Sequence, residues 1–284
     1  MPGTLVSFHA HPDDEALLVS GTLARAAAEG HRVVVVVATA GEAGLTDDTH
    51  SADGRLGERR MAELRRSADL LGVARVECLG YADSGLPPHE VRQDPPGTTC
   101  FVRADREQAA ERLAAILREE RADVLTTYDA NGGYGHPDHV QVHHVGARAG
   151  ELAGTPAVLQ ATVPRDLMLR GVRLAAKVHR FPPEFDVTTF ERAFTPAVQI
   201  THRIDVRPFA DAKRASMRAH ASQTAGGQGD RTLAAFVRMP RPLFRRVFGR
   251  EWFVQAGLSA EQRAHGPYGD VFGTVPAMRD GDRG

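Results

Sequence analysis

Along the first half of the chain, short unbroken apolar runs alternate with longer stretches in which apolar residues recur every three or four positions. The first pattern suits strands buried on both faces, and the second suits amphipathic helices. Arg32 to Thr39, with Val33 to Val37 unbroken, predicts the clearest strand. Thr4 to Ala10 predicts one before it, Arg75 to Gly80 one after it, and Asp123 to Tyr128 a fourth. Helices are predicted between them: one through Ala26, Ala27 and Ala28 to a stop at Gly30, then Glu58 to Leu71 ending at Gly72, Asp105 to Glu120, and Pro137 to Ala149. This alternation implies an α/β fold with a Rossmann-like, doubly wound, mostly parallel sheet.

Residues 81–104 hold prolines and glycines and read as a long functional loop. Beyond about residue 164 the alternation breaks down. Phe181-Pro-Pro and Thr195-Pro mark turns, Val198 to Ile204 predicts a late strand, and Pro208 to Ala221 predicts a helix. The expected organisation is a catalytic core over 1–163 and a C-terminal portion of the same domain over 164–258, forming a substrate-facing wall. A mobile Gly- and Asp-rich tail is expected over 259–284.

Composition narrows the function classes. At 284 residues, 42% hydrophobic and 25% charged, the chain can bury a sizeable core. A formal net charge of -1 gives no electrostatic reason to expect nucleic acid. Cys78 and Cys100 form no Cys-x-x-Cys pair and read as packed thiols. No basic, apolar leader opens the chain and no apolar run reaches membrane-spanning length, so a cytoplasmic protein without a membrane span is expected. Gly41-Glu42-Ala43-Gly44 lacks the Lys and Ser/Thr of a P-loop, and no Gly-x-Gly-x-x-Gly follows the first strand, which argues against a nucleotide cofactor. Arg238, Arg241, Arg245, Arg246 and Arg250 interleave with Leu243, Phe244 and Phe248. A solvated amphipathic segment is the simpler reading of that stretch than a membrane or subunit contact, and homo-oligomerisation stays open.

The chemistry lies in two runs more than a hundred residues apart: Ala10-His11-Pro12-Asp13-Asp14-Glu15 and Gly133-Tyr134-Gly135-His136-Pro137-Asp138-His139. Each follows a predicted strand and opens a predicted helix, where a parallel sheet places its ligands. Taken singly, His-Pro-Asp at a helix start is also a capping pattern. Taken together, His11, Asp14 and His139 offer two imidazoles and a carboxylate, the ligand set of catalytic zinc with one position open, and one that also suits Fe2+. Asp13 is left over beside a ligand and suits a general base. His136 precedes His139 by one helical turn and is expected to face the substrate as an acid or cationic stabiliser. Asp138 is expected to orient His136 and raise its pKa. His9 alternates to the face opposite Ala10 and reads as a core or supporting histidine; His143, four residues after His139, and His144 read as supporting or surface residues, since the ligand set is already complete.

These two runs resemble the PIG-L/LmbE family of zinc-dependent N-deacetylases. Arg60-Met-Ala-Glu63 leading to Leu71-Gly72, Asp83-Ser84-Gly85, Tyr128 through Tyr134, and Lys213 through His220-Ala-Ser-Gln223 are similar to the actinobacterial branch that handles mycothiol precursors and conjugates. The resemblance implies zinc on His11, Asp14 and His139, Asp13 as base, His136 as electrostatic catalyst and Tyr134 as a mobile oxyanion contact. It also implies Arg60 and Asp83 gripping sugar or inositol hydroxyls. Arg60, on the helix before strand three, and Asp83, in the loop after it, suit neighbouring hydroxyls chemically. A plain ion pair of Arg60 with Glu63 or Asp83 is the alternative. The expected reaction is hydrolysis of the N-acetyl amide of a small N-acetylglucosaminyl-inositol-type molecule. Alternatives are an amidase of mycothiol S-conjugates or a deacetylase of a natural-product amino sugar. More distant ones are a non-haem iron oxygenase using His11, Asp13 and His139, and a non-catalytic sugar-binding protein.

Overall fold

Five β-branched residues in a row, Val33 to Val37, are all fully buried, and alternate ones enter different cores. Val34 and Val36 join Val6, Phe8, Leu113 and Val145 on one side of the sheet, whereas Val33, Val35 and Val37 join Leu5, Leu23 and Leu64 on the other. Helices therefore cover both faces, as a continuous apolar strand requires. The computed structural model describes residues 2–44, 55–85, 91–178, 189–223 and 230–276.

The strands are β1 (Thr4–His9), β2 (Arg32–Thr39), β3 (Arg75–Tyr81), β4 (Val124–Tyr128), β5 (Ala157–Thr162), β6 (His202–Asp205) and β7 (Arg250–Gln255), in sheet order β3-β2-β1-β4-β5-β7-β6. The first five run parallel, while β7 and β6 are antiparallel additions at the β5 edge. Among the described residues, helices Ser20–Ala28 and Leu56–Leu71 lie over one face, and Arg106–Glu119 and Pro137–Ala153 pack together over the other. Local chemistry sets their ends: Asp105 accepts the Gln108 amide at 2.8 Å, Pro137 occupies the first turn of its helix, and Gly72 closes another at φ 75°. The alternating α/β reading holds, and the predicted strand over Arg32 to Thr39 coincides with β2.

Strand order reverses between β1 and β4, which pair directly with Leu5 opposite Val124 and Ser7 opposite Thr126. Both sequence motifs leave the carboxyl ends of these two neighbours. That crevice is where open α/β sheets bind ligands.

The C-terminal half contains more regular structure than its sequence pattern suggests. β5 and β7 have no counterpart in that pattern, because each is a six-residue strand that alternates buried and half-buried positions and is held by its partners. Helix Ala210–Ala219 packs on Leu56–Leu71 and Ser20–Ala28, with Lys213 fully buried against Glu251. Glu251 in turn accepts the Gly21 and Thr22 amides at the start of the Ser20–Ala28 helix. The expected mobile tail is docked as far as residue 276. Ser259 and Gln262 form a reciprocal cap on helix Ala260–His265, Val271 enters the core, and the Phe272 ring stacks on His31 at 4.0 Å. Burial of those two apolar side chains anchors a segment whose Gly and Asp content suggests no such anchor; residues 277–284 lie outside the described residues. Phe181-Pro-Pro does so as well. Among the described residues no helix is long and apolar enough to cross a membrane.

Candidate active site

The first motif turns sharply out of β1. Asp13 sits at φ 109°, ψ -24°, a conformation rare for a residue with a side chain, and helix Asp14–Leu18 starts immediately after it. The turn folds the Asp14 carboxylate back to accept the His11 amide at 2.9 Å. Asp14 thereby faces two imidazoles, with Oδ2 3.5 Å from His11 Nδ1 and Oδ1 3.3 Å from His139 Nε2. His139 arrives from the second motif, one turn into helix Pro137–Ala153.

The ligand atoms of His11, Asp14 and His139 lie within 4.8 Å of one another. His139 Nε2 is buried and has no hydrogen-bond partner. A nitrogen lone pair in that position, beside a buried carboxylate and a second imidazole, fits a divalent cation with an open coordination position. The charge balance agrees. Burial pulls the His11 pKa down, but Asp138, Asp14 and Asp83 outweigh it and raise it well above the usual value. Burial acts upward on Asp14, but His139 and His11 overcome it and hold the carboxylate well below the usual range. The carboxylates of Asp14, Asp83 and Asp138 surround the His11 ring with negative charge.

Asp138 plays a different part from the one its sequence position suggests. Its carboxylate accepts from Ser84 twice, at 3.0 Å from the amide and 2.5 Å from the hydroxyl, and from His11 Nε2 at 3.2 Å. It backs the imidazole of His11, the usual support for a metal-binding histidine. Only its backbone amide reaches His136, donating to Nδ1 at 3.1 Å. The Asp138 charge does act upward on His136, but burial foremost, then the charges of His11 and His139, outweigh it and push the pKa down to about 4. With Nδ1 accepting a hydrogen bond, the neutral ring carries its proton on Nε2 and remains a donor.

Asp13 keeps its carboxylate partly open to solvent, with 24% of the side chain exposed. Burial raises its pKa above the ordinary carboxylate value despite the opposing Arg60 charge, which suits a base. The expected grip of Arg60 on hydroxyls at the mouth is not found, because its guanidinium is buried. It donates to the carbonyls of Gly41 at 2.6 Å and Pro12 at 2.7 Å, and to Asp13 Oδ1 at 3.1 Å. Loop 41–44 wraps it so closely that a Cβ at Gly41 would lie 2.5 Å from its Nη1. Neither expected ion-pair partner is used: Glu63 holds Ser222 instead. Asp83 is also buried, accepting from Gly85 and Ala43 and lying 3.5 Å from His11 Nε2.

Tyr134 is half exposed, its ring 5.2 Å from that of His139. Its loop is pinned at the base by Asp129, which accepts the Asn131 and Gly133 amides and the hydroxyls of Thr162 and Thr195. Gly132 is required there, since at φ 61° a Cβ would lie 2.6 Å from the Val140 amide nitrogen. His9 is buried between Ser7 and Tyr128, and His143 bonds the Tyr128 carbonyl, so both support the strand ends. Sequence reasoning gives no role to Glu15, Ser67, Asp129 or His220. Glu15, as the third acid of the first motif, and Asp129 and His220, inside stretches that carry the family resemblance, have a signal; Ser67 has none. Asp14, not Asp13, lies between the two histidines, which disfavours the oxygenase ligand set.

The family model described as PIG-L, GlcNAc-PI de-N-acetylase, matches residues 6–149. A 1D-myo-inositol 2-acetamido-2-deoxy-alpha-D-glucopyranoside deacetylase of Thermobifida fusca is 38% identical over 78% of this chain and 83% of its own length. A protein of the same name from Acidothermus cellulolyticus is 36% identical over 100% and 99% of the two chains. Among solved structures, a conserved protein from Thermus thermophilus superposes with a TM-score of 0.55 at 23% identity, covering 92% of this chain and 98% of that one. The N,N'-diacetylchitobiose deacetylase of Pyrococcus horikoshii does so with a TM-score of 0.54 at 22% identity, covering 89% and 83%. These two likenesses show the fold; the family model and the two sequence relatives show that the chain belongs to the PIG-L family.

Proposed function

We propose that the protein is a zinc-dependent N-deacetylase that hydrolyses the acetamide of 1D-myo-inositol 2-acetamido-2-deoxy-alpha-D-glucopyranoside, releasing acetate and the free amino sugar. PIG-L deacetylases are metal-dependent. The observation that carries the reading is the convergence of His11, Asp14 and the unpartnered His139 Nε2 beside a partly exposed Asp13. Relatives bearing that substrate in their names support the choice of sugar.

A divalent cation held by His11, Asp14 and His139 would supply Lewis-acid polarisation of the acetyl carbonyl and an acidified water. Asp13 takes the proton of the attacking water, its raised pKa making it a better acceptor than an ordinary carboxylate. The tetrahedral oxygen gains charge as that bond forms, and the Nε2–H of neutral His136 and the Tyr134 hydroxyl would donate to it. A pKa near 4 leaves His136 without a proton to give at neutral pH. Asp13, protonated in the first step, therefore returns the proton to the leaving nitrogen as the C–N bond breaks. Asp138 and Ser84 hold the His11 ring throughout.

The test is acetate release and free-amine formation, read by mass spectrometry, with zinc-loaded protein on the glucosaminyl-inositol, on bare N-acetylglucosamine and on a mycothiol S-conjugate. Turnover fastest on the first is expected. Fastest turnover on the conjugate would reassign the substrate, and no acetate from any would overturn the reading.

A further inference from the structure

We infer that Glu15 and His220 form a positioning pair that holds the base Asp13 in its left-handed backbone conformation. The inference rests on the reading of Asp13 as the base. A non-glycine residue at φ 109° costs on the order of 1–3 kcal/mol and persists only where its surroundings over-determine it. The restraint is visible. The Asp13 amide donates to Glu15 Oε2 at 3.0 Å, closing a short loop across the turn. The other oxygen, Oε1, accepts from Ser67 Oγ and from His220 Nε2, each at 2.7 Å. Ser67 is itself bonded to Ser216 at 2.8 Å.

Glu15, Ser67, Ser216 and His220 are all essentially inaccessible to solvent. A carboxylate with three donors in a dry site has no freedom to rotate, so the Asp13 amide it captures has none either. His220 Nδ1 has no partner, which assigns the ring proton to Nε2 and makes the imidazole the donor. The turn carrying it is fastened next door, where Ser222 donates to Glu63 through its amide at 2.8 Å and its hydroxyl at 2.6 Å. Residues 216–222 lie well beyond the 6–149 stretch matched by the family model, so a distant part of the chain fixes the geometry of the motif.

The experiment compares His220→Leu, which removes the donor at similar volume, with His220→Gln, which keeps an N–H at similar reach. Three quantities are read on metal-loaded protein: kcat and KM on the glucosaminyl-inositol, metal content, and hydrogen exchange of the Asp13 amide by NMR. In His220→Leu, kcat should fall about 10- to 100-fold with KM within roughly 2-fold and metal retained. The Asp13 amide should exchange roughly 10-fold faster or more. His220→Gln should restore most of both. Ser67→Ala removes a second donor from the same oxygen and should give an intermediate loss, which decides the matter if His220→Leu does not fold. An unchanged Asp13 amide, or a kcat loss that His220→Gln fails to restore, overturns the inference. Failure of the base reading is separate: Asp13→Asn would then retain turnover, and the amide exchange would still report the restraint.

Discussion

Replacing Arg60 by alanine separates the two roles a guanidinium near this site can have. Its side chain is 4% exposed, and it donates to two backbone carbonyls and to Asp13 Oδ1 at 2.6, 2.7 and 3.1 Å. Truncation leaves those acceptors facing a cavity and removes the cation opposite a buried carboxylate, a change that costs about 3–5 kcal/mol where both partners are sealed. Asp13 is 24% exposed and water can enter the space, which places the loss near the lower end, about 3 kcal/mol. For a chain of this size that is a fall of roughly 10 °C in Tm. Asp13 also loses its orienting contact, so kcat should drop on the order of 10²-fold while KM changes little. The drop should be equal on glucosaminyl-inositol and on bare N-acetylglucosamine, because the buried guanidinium donates to Gly41, Pro12 and Asp13. Arg60→Lys keeps the charge without the fork and should recover little. The assays are a thermal melt and steady-state kinetics on both sugars. A rise in KM confined to the inositol-bearing substrate, with Tm and kcat unchanged, would refute the argument and return Arg60 to the mouth of the site.

Loss of one imidazole in His139→Ala should drop the metal from about one per chain, measured by elemental analysis, to well below that, and abolish turnover, since two ligands rarely hold a catalytic ion. Asp13→Asn should keep its metal while slowing turnover by about 10²- to 10⁴-fold; loss of metal instead would make Asp13 a ligand. His202 is fully buried, with Nε2 unpartnered, and burial pushes its pKa down to about 4. The unfolded chain therefore binds the extra proton first, so stability is complete above pH 6.5 and falls as the pH drops towards 4, by up to about 3 kcal/mol. Denaturant titrations of wild type and His202→Asn across that range should show a steeper decline in the wild type, and parallel curves would remove His202 as the cause.

Much of this molecule is decided within short windows of sequence. Val33 to Val37 is a strand buried on both faces because no other element hides five consecutive β-branched residues so readily. The ligand-bearing turns are likewise local: a strand, a His-Pro-Asp and a helix start set the separation of His11 from Asp14, and of His136 from His139, whatever the rest of the chain does. What no window contains is adjacency. The two motifs meet because β1 pairs with β4 across more than a hundred residues. Non-local packing also tied Asp138 to Ser84 and His11, buried Arg60 under loop 41–44, and brought His220 against Glu15. A charged or polar side chain in a sequence has many energetically similar partners. Only the folded chain, by removing water from some and leaving it at others, selects the one it keeps.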